Sequence, residues 1–153
     1  MAHQGIEAVR ELLGDRARPE VMPTVPERRA MLEALSAAPA PEGVTVEAST
    51  VAGRPAERTV PGAVDGPGVV LYLHGGGYVS GSLSTHRALV GRIALALARP
   101  VVSLEYRLGP EDPFPAAVDD AVAAFEELSR GGDGRVALAG DSAGGGLALA
   151  TLT

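Results

Sequence analysis

Three short, almost unbroken apolar runs decide most of what this chain can fold into: Val69–Leu73, Val101–Leu104 and Val136–Ala139. A run of this kind is the mark of a strand covered on both faces, because no alternate position is left for water. The stretches between them change period. Leu89, Val90, Ile93, Ala94 and Leu97 predict a helix near residues 85–98. Val118, Val122 and Phe125 predict another near residues 116–129, and an Ala/Leu/Gly helix runs from the last strand to Thr153. Alternating strand and helix implies a parallel sheet flanked by helices. Val44, Val46 and Ala48 alternate with polar residues instead. They predict a half-exposed strand with a partner near residues 54–60, so the sheet is mixed at its start.

The first 43 residues lack strand signals. Ile6, Val9, Leu12 and Leu13 have helical spacing with Gly14 as a stop. Thr24 with Glu27 fits a capping box, and Pro26 suits the first turn. Met31, Leu32 and Leu35 follow as a stripe, and Pro39 and Pro41 end the segment. Residues 1–43 therefore read as a helical, peripheral segment and 44–153 as the sheet domain. With hydrophobic residues at 46% and aromatics at only 3%, the core must be built from Ala, Val and Leu.

Composition removes several functions. The net charge is −6, all 13 basic residues are Arg, and no basic run exists, which argues against nucleic acid as a partner. Zero Cys excludes a thiol nucleophile, and three scattered His, at 3, 74 and 86, argue against a metal site. No apolar stretch approaches the ~20 residues of a membrane span. The start has no leader pattern, so the expectation is a cytoplasmic protein without a membrane partner.

Two glycine-rich segments carry the chemistry. Gly140-Asp141-Ser142-Ala143-Gly144 follows one apolar run and opens a helix of small residues. A strand-to-helix turn this sharp leaves no room for side chains two positions either side of the serine, and it raises the hydroxyl above the sheet at a helix N-terminus. His74-Gly75-Gly76-Gly77 follows another run. Successive glycines leave N–H groups unshielded and able to converge on one oxygen. A phosphate-binding reading is disfavoured, since there is no P-loop lysine.

Together with Tyr106-Arg107-Leu108-Gly109-Pro110-Glu111 and Pro113-Phe114-Pro115-Ala116-Ala117, these segments resemble the hormone-sensitive-lipase-like branch of α/β-hydrolases. The likeness is greatest to bacterial carboxylesterase, acetyl-hydrolase and monoterpene ε-lactone-hydrolase-type sequences. It runs from about Val44 to Thr153, and weakly into the N-terminal helices. Gly109 and Asp112 depart from the usual Ala and His. The resemblance implies a partial α/β-hydrolase fold, with residues 1–43 as an N-terminal helical cap segment and 44–153 as the first part of the catalytic domain. It implies Ser142 as nucleophile, and an oxyanion hole from the N–H groups of Gly76, Gly77 and Ala143, with Gly75 in reserve. It also implies hydrolysis of short or medium acyl esters or lactones, with no cofactor or metal. A homo-oligomer of the full-length form is compatible with it.

In this family the triad order is Ser, then Asp or Glu, then His. None of these acids or bases lies among the eleven residues after Ser142, so the triad acid and base are expected beyond Thr153 and the 153 residues alone are expected to be inactive. A non-catalytic ligand-binding module and an inactive fragment are the competing readings. Of the remaining polar residues, His74 is expected to brace its loop and His86 to cap a helix or face solvent. Asp119 and Asp120 are expected to serve a helix dipole, Tyr106-Arg107 to fix the loop after its strand, and Asp141 to be a solvated or loop-bonding carboxylate. Leu147, Leu149 and Leu152 are expected on a partly uncovered helix surface.

Overall fold

The computed structural model describes residues 22–131 and 135–153. The helix expected around Ile6–Leu13 lies outside the described residues, as do residues 132–134 of the expected Gly131–Gly134 turn. The described chain begins with helix α1 (Val25–Ser36), started by the Thr24/Glu27 capping box, in which the Thr24 N–H donates to Glu27 Oε2 at 2.7 Å. Strands β1 (Val44–Val51) and β2 (Arg54–Pro61) form an antiparallel hairpin. Its two-residue turn, Ala52-Gly53, has positive φ at both positions, which matches the twist of the flanking strands. Then come β3 (Val69–Leu73), α2 (Leu83–Leu97), β4 (Val101–Leu104), α3 (Ala116–Arg130), β5 (Val136–Gly140) and α4 (Ala143–Thr151).

The sheet order is β1-β2-β4-β3-β5, antiparallel through β1, β2 and β4 and parallel through β4, β3 and β5. The expected mixed start and parallel continuation are both present. Burial on two faces explains the apolar runs. Val69, Leu71 and Leu73 point into a core with Ala121, Ala124 and Leu128 of α3 and Leu147 and Ala148 of α4. Val70 and Tyr72 point the other way, against Val90 and Ala94 of α2. Small helix residues let the layers approach closely, so few aromatics are needed.

Two expectations change. β1 does not bury one face along its length. Val44 packs on the α2 side and Val51 on the α3 side, while Ala48 is exposed, because the two ends of this edge strand lie against opposite layers. On α4, Leu147 is fully buried against the sheet, and only Leu149 and Leu152 face outward. Among the described residues, no helix is long and apolar enough to cross a membrane.

Candidate active site

The site is assembled by strand register. β3 and β5 are parallel neighbours with Leu73 opposite Gly140. The chain therefore leaves both strands at the same edge of the sheet, and the His74–Gly77 loop emerges beside the Asp141-Ser142 turn. Ser142 has φ 50° and ψ −120°, a conformation that L side chains rarely adopt. The turn closes only because its flanking positions lack side chains. A Cβ on Gly140 would stand 2.5 Å from the Gly144 carbonyl group and from the Leu73 oxygen, and one on Gly144 would collide with the Leu73 oxygen. The clash thus involves the adjoining strand as well as the two flanks of the serine.

Asp141 ties the turn to the loop. Its Oδ1 accepts from the Gly75 N–H at 2.9 Å and from the Tyr72 hydroxyl at 2.8 Å, and it lies 3.3 Å from His86 Nε2. Burial pushes this carboxyl up, but the Tyr72 bond, the His86 ring and the Gly75 N–H outweigh that. Its pKa falls below the ordinary carboxylate range. With its N–H committed to Asp141, Gly75 is not available as an oxyanion donor. The N–H groups of Gly76, Gly77 and Ala143 donate to no described group.

The loop is held from within. The Gly76 carbonyl accepts from the Ser80 hydroxyl at 2.7 Å and the Ser80 N–H at 3.1 Å. Gly76 has φ +126°, and a Cβ there would run into the Ser80 carbonyl group. His74 is buried, stacks on Tyr106 with ring centroids 4.3 Å apart, and donates from Nδ1 to the Gly75 oxygen at 2.8 Å. Burial lowers its pKa and keeps it neutral. The Tyr106 hydroxyl donates to the His74 carbonyl at 2.6 Å. His74 braces the loop, as the sequence suggests, and Tyr106 braces this same loop rather than only the one after its own strand.

Ser142, Gly76 and Gly77 open into one cleft of about 510 Å³, walled on its far side by Arg28, Met31, Leu32 and Leu35 of α1. That helix is pinned by Arg29, which donates to the Val79 carbonyl at 2.7 Å, the Gly109 carbonyl at 3.0 Å and both carboxylate oxygens of Glu111. Glu33 accepts from the Ser82 and Ser84 hydroxyls at the start of α2.

A family model described as the alpha/beta hydrolase fold matches residues 70–153, more than half of the chain. The chain belongs to the α/β-hydrolases. Within them its likenesses lie in the hormone-sensitive-lipase-like branch. The esterase LipI of Mycobacterium tuberculosis is 41% identical over 150 residues, covering 94% of this chain and 43% of LipI. The crystal structure of EstE5 soaked with p-nitrophenyl butyrate superposes with a TM-score of 0.89 at 42% identity, over 96% of this chain and 51% of EstE5. A hormone-sensitive lipase from a metagenome library gives 0.82 at 40% identity, over 95% of this chain and 49% of that one. The chain spans less than half the length of the curated relatives it matches and about half of these solved structures.

Several residues of this α/β-hydrolase stand where sequence reasoning did not put them. His86 is not on the surface. Its Nδ1 lies 2.8 Å from Thr85 Oγ1 and its Nε2 faces Asp141, so the ring is part of the clamp behind the serine. Asp120 does not serve a helix dipole. It is buried and takes the Arg107 guanidinium side-on, at 2.7 and 3.0 Å, and the Arg107 N–H at 2.9 Å. The segment with the unusual Gly109 and Asp112 still braces the site, since the Gly109 N–H donates to the Tyr78 carbonyl at 2.8 Å. Tyr72 was read only as part of an apolar strand. Its hydroxyl role follows from the β3–β5 pairing, which nothing local to Tyr72 announces.

Proposed function

We propose that this chain is the nucleophile-bearing part of a serine hydrolase of carboxylic esters. The observation that carries the reading is one cleft holding the strained Ser142 beside three N–H groups, of Gly76, Gly77 and Ala143, that have no acceptor among the described residues. Ser142 Oγ attacks the ester carbonyl carbon as its proton passes to a base. The carbonyl oxygen becomes an anion held by those three donors. The bond to the alcohol oxygen then breaks, and the alcohol leaves with the proton. Water attacks the acyl-Ser142 ester by the same route in reverse and releases the acid. A single donor of this kind is typically worth ~3–4 kcal/mol of barrier.

The base is neither histidine near the site. His74 is buried and spends Nδ1 on the Gly75 oxygen, and His86 faces Thr85 and Asp141. We assign the base and its orienting carboxylate to residues beyond Thr153 in the full-length protein. We assign helix α1, within residues 1–43, to a cap over the acyl site, because it walls the cleft. The esterase named among the relatives favours an ester substrate, and the butyrate ester soaked into EstE5 favours a short acid.

The test uses the full-length protein. A fluorophosphonate should label it stoichiometrically on the peptide containing Ser142, and Ser142→Ala should lose both the label and about a million-fold of turnover. Label on another residue, or near-normal turnover of Ser142→Ala, would overturn the assignment.

A further inference from the structure

We propose that Arg28 makes this hydrolase selective for esters that carry a carboxylate a few atoms from the reacting carbonyl, that is, half-esters of short dicarboxylic acids. The inference rests on the ester-hydrolase reading above and adds the substrate class. Two consecutive arginines on α1 have opposite fates. Arg29 is consumed by Val79, Gly109 and Glu111. Arg28 has no hydrogen-bond or ion-pair partner among the described residues. Among the described residues, the carboxylates on α1 and the one that binds Arg29 are already engaged: Glu27 by Thr24, Glu33 by Ser82 and Ser84, Glu111 by Arg29.

The Arg28 guanidinium is placed at the chemistry. It lines the same cleft as Ser142, Gly76 and Gly77, and its Nη2 stands 3.7 Å from where a Cβ on Gly77 would lie. Arg28, Met31, Leu32 and Leu35 share one helix face, since residues three and four apart are neighbours. The wall is therefore cationic beside Gly77 and apolar one and two turns further along. A neutral acyl chain of three or four carbons would leave the guanidinium to water. A carboxylate at the end of such a chain would engage two of its donors side-on, the geometry that guanidinium matches best.

The experiment compares kcat/KM for monoethyl succinate and ethyl butyrate, followed by proton release, in the full-length protein. Both acyl groups have four carbons and differ only in a terminal carboxylate. In Arg28→Gln the succinate-to-butyrate ratio should fall about tenfold or more, Arg28→Lys should restore part of it, and added salt should shrink the wild-type preference. Glutamine is a good helix former at an exposed position, so the fold is not at risk. An unchanged ratio in Arg28→Gln overturns this inference alone. If the wild-type protein hydrolyses neither ester and a fluorophosphonate leaves Ser142 unlabelled, it is the ester-hydrolase reading that has failed.

Discussion

A carboxylate next to a serine invites a role as triad acid, and Asp141 is committed elsewhere. Its oxygen gathers Gly75, Tyr72 and His86, and so fixes how far the glycine loop stands from the serine turn. Asp141→Asn keeps one acceptor oxygen but loses the charge. It should slow fluorophosphonate labelling of Ser142 by roughly tenfold, a fraction of the loss from deleting an oxyanion donor. Little change in the labelling rate would show that the loop holds its position unaided. Acid should act in the same direction. The charged carboxylate is favoured in the folded protein, so its pKa lies below the unfolded value near ~4. The clamp's contribution is complete above that value and is lost as pH falls through the folded pKa. The wild-type clamp should thus survive mild acidification, and unfolding midpoints of wild type and Asp141→Asn should converge only at strongly acidic pH. The glycines of this site were legible in the sequence because their spacing around the serine is a short motif, even though part of what excludes a Cβ there is the distant Leu73. Tyr72 and His86 were not, because they meet Asp141 only after two distant strands pair.

Helix α1 shows the same division one level up. Its start was readable from Thr24 and Glu27, a motif complete within four residues. Its seat was not, since Arg29 and Glu33 reach partners 49 to 82 residues away. Met31 and Leu35 read as an apolar stripe in need of a surface; no residue of α1 is buried, and these two face the cleft. The double variant Arg29→Ala/Glu33→Ala removes the helix's polar anchors while sparing Ser142 and the glycines. We expect limited proteolysis to cut within residues 25–36, and the preference between butyrate and octanoate esters to change in the full-length protein while Ser142 still takes the fluorophosphonate. An unaltered preference with the helix released would separate α1 from acyl recognition.

At the scale of the molecule, the strands were legible where each run is apolar, and their order in the sheet was not. Among the described residues, β5 pairs with β3 along one side only. Phe114, Leu149 and Leu152 are 87%, 71% and 64% exposed. An open strand edge near exposed apolar side chains favours association. Residues 1–153 expressed by themselves should therefore elute from size exclusion as assemblies larger than one chain and turn over a short aryl ester poorly. A monomer with a cooperative melt and brisk turnover would contradict both expectations. The contact between Gly144 and the end of β3 has a different consequence. There the main chain of α4 rests on the main chain of the sheet, with no side chain in the gap. The separation of hydroxyl and loop is set by two polypeptide backbones touching, a dimension that does not depend on which residues fill the interior. Leu71, Val102 or Leu147 can exchange for neighbours of similar bulk, and such a lineage can drift far in its core while the reacting geometry stays where the two backbones put it.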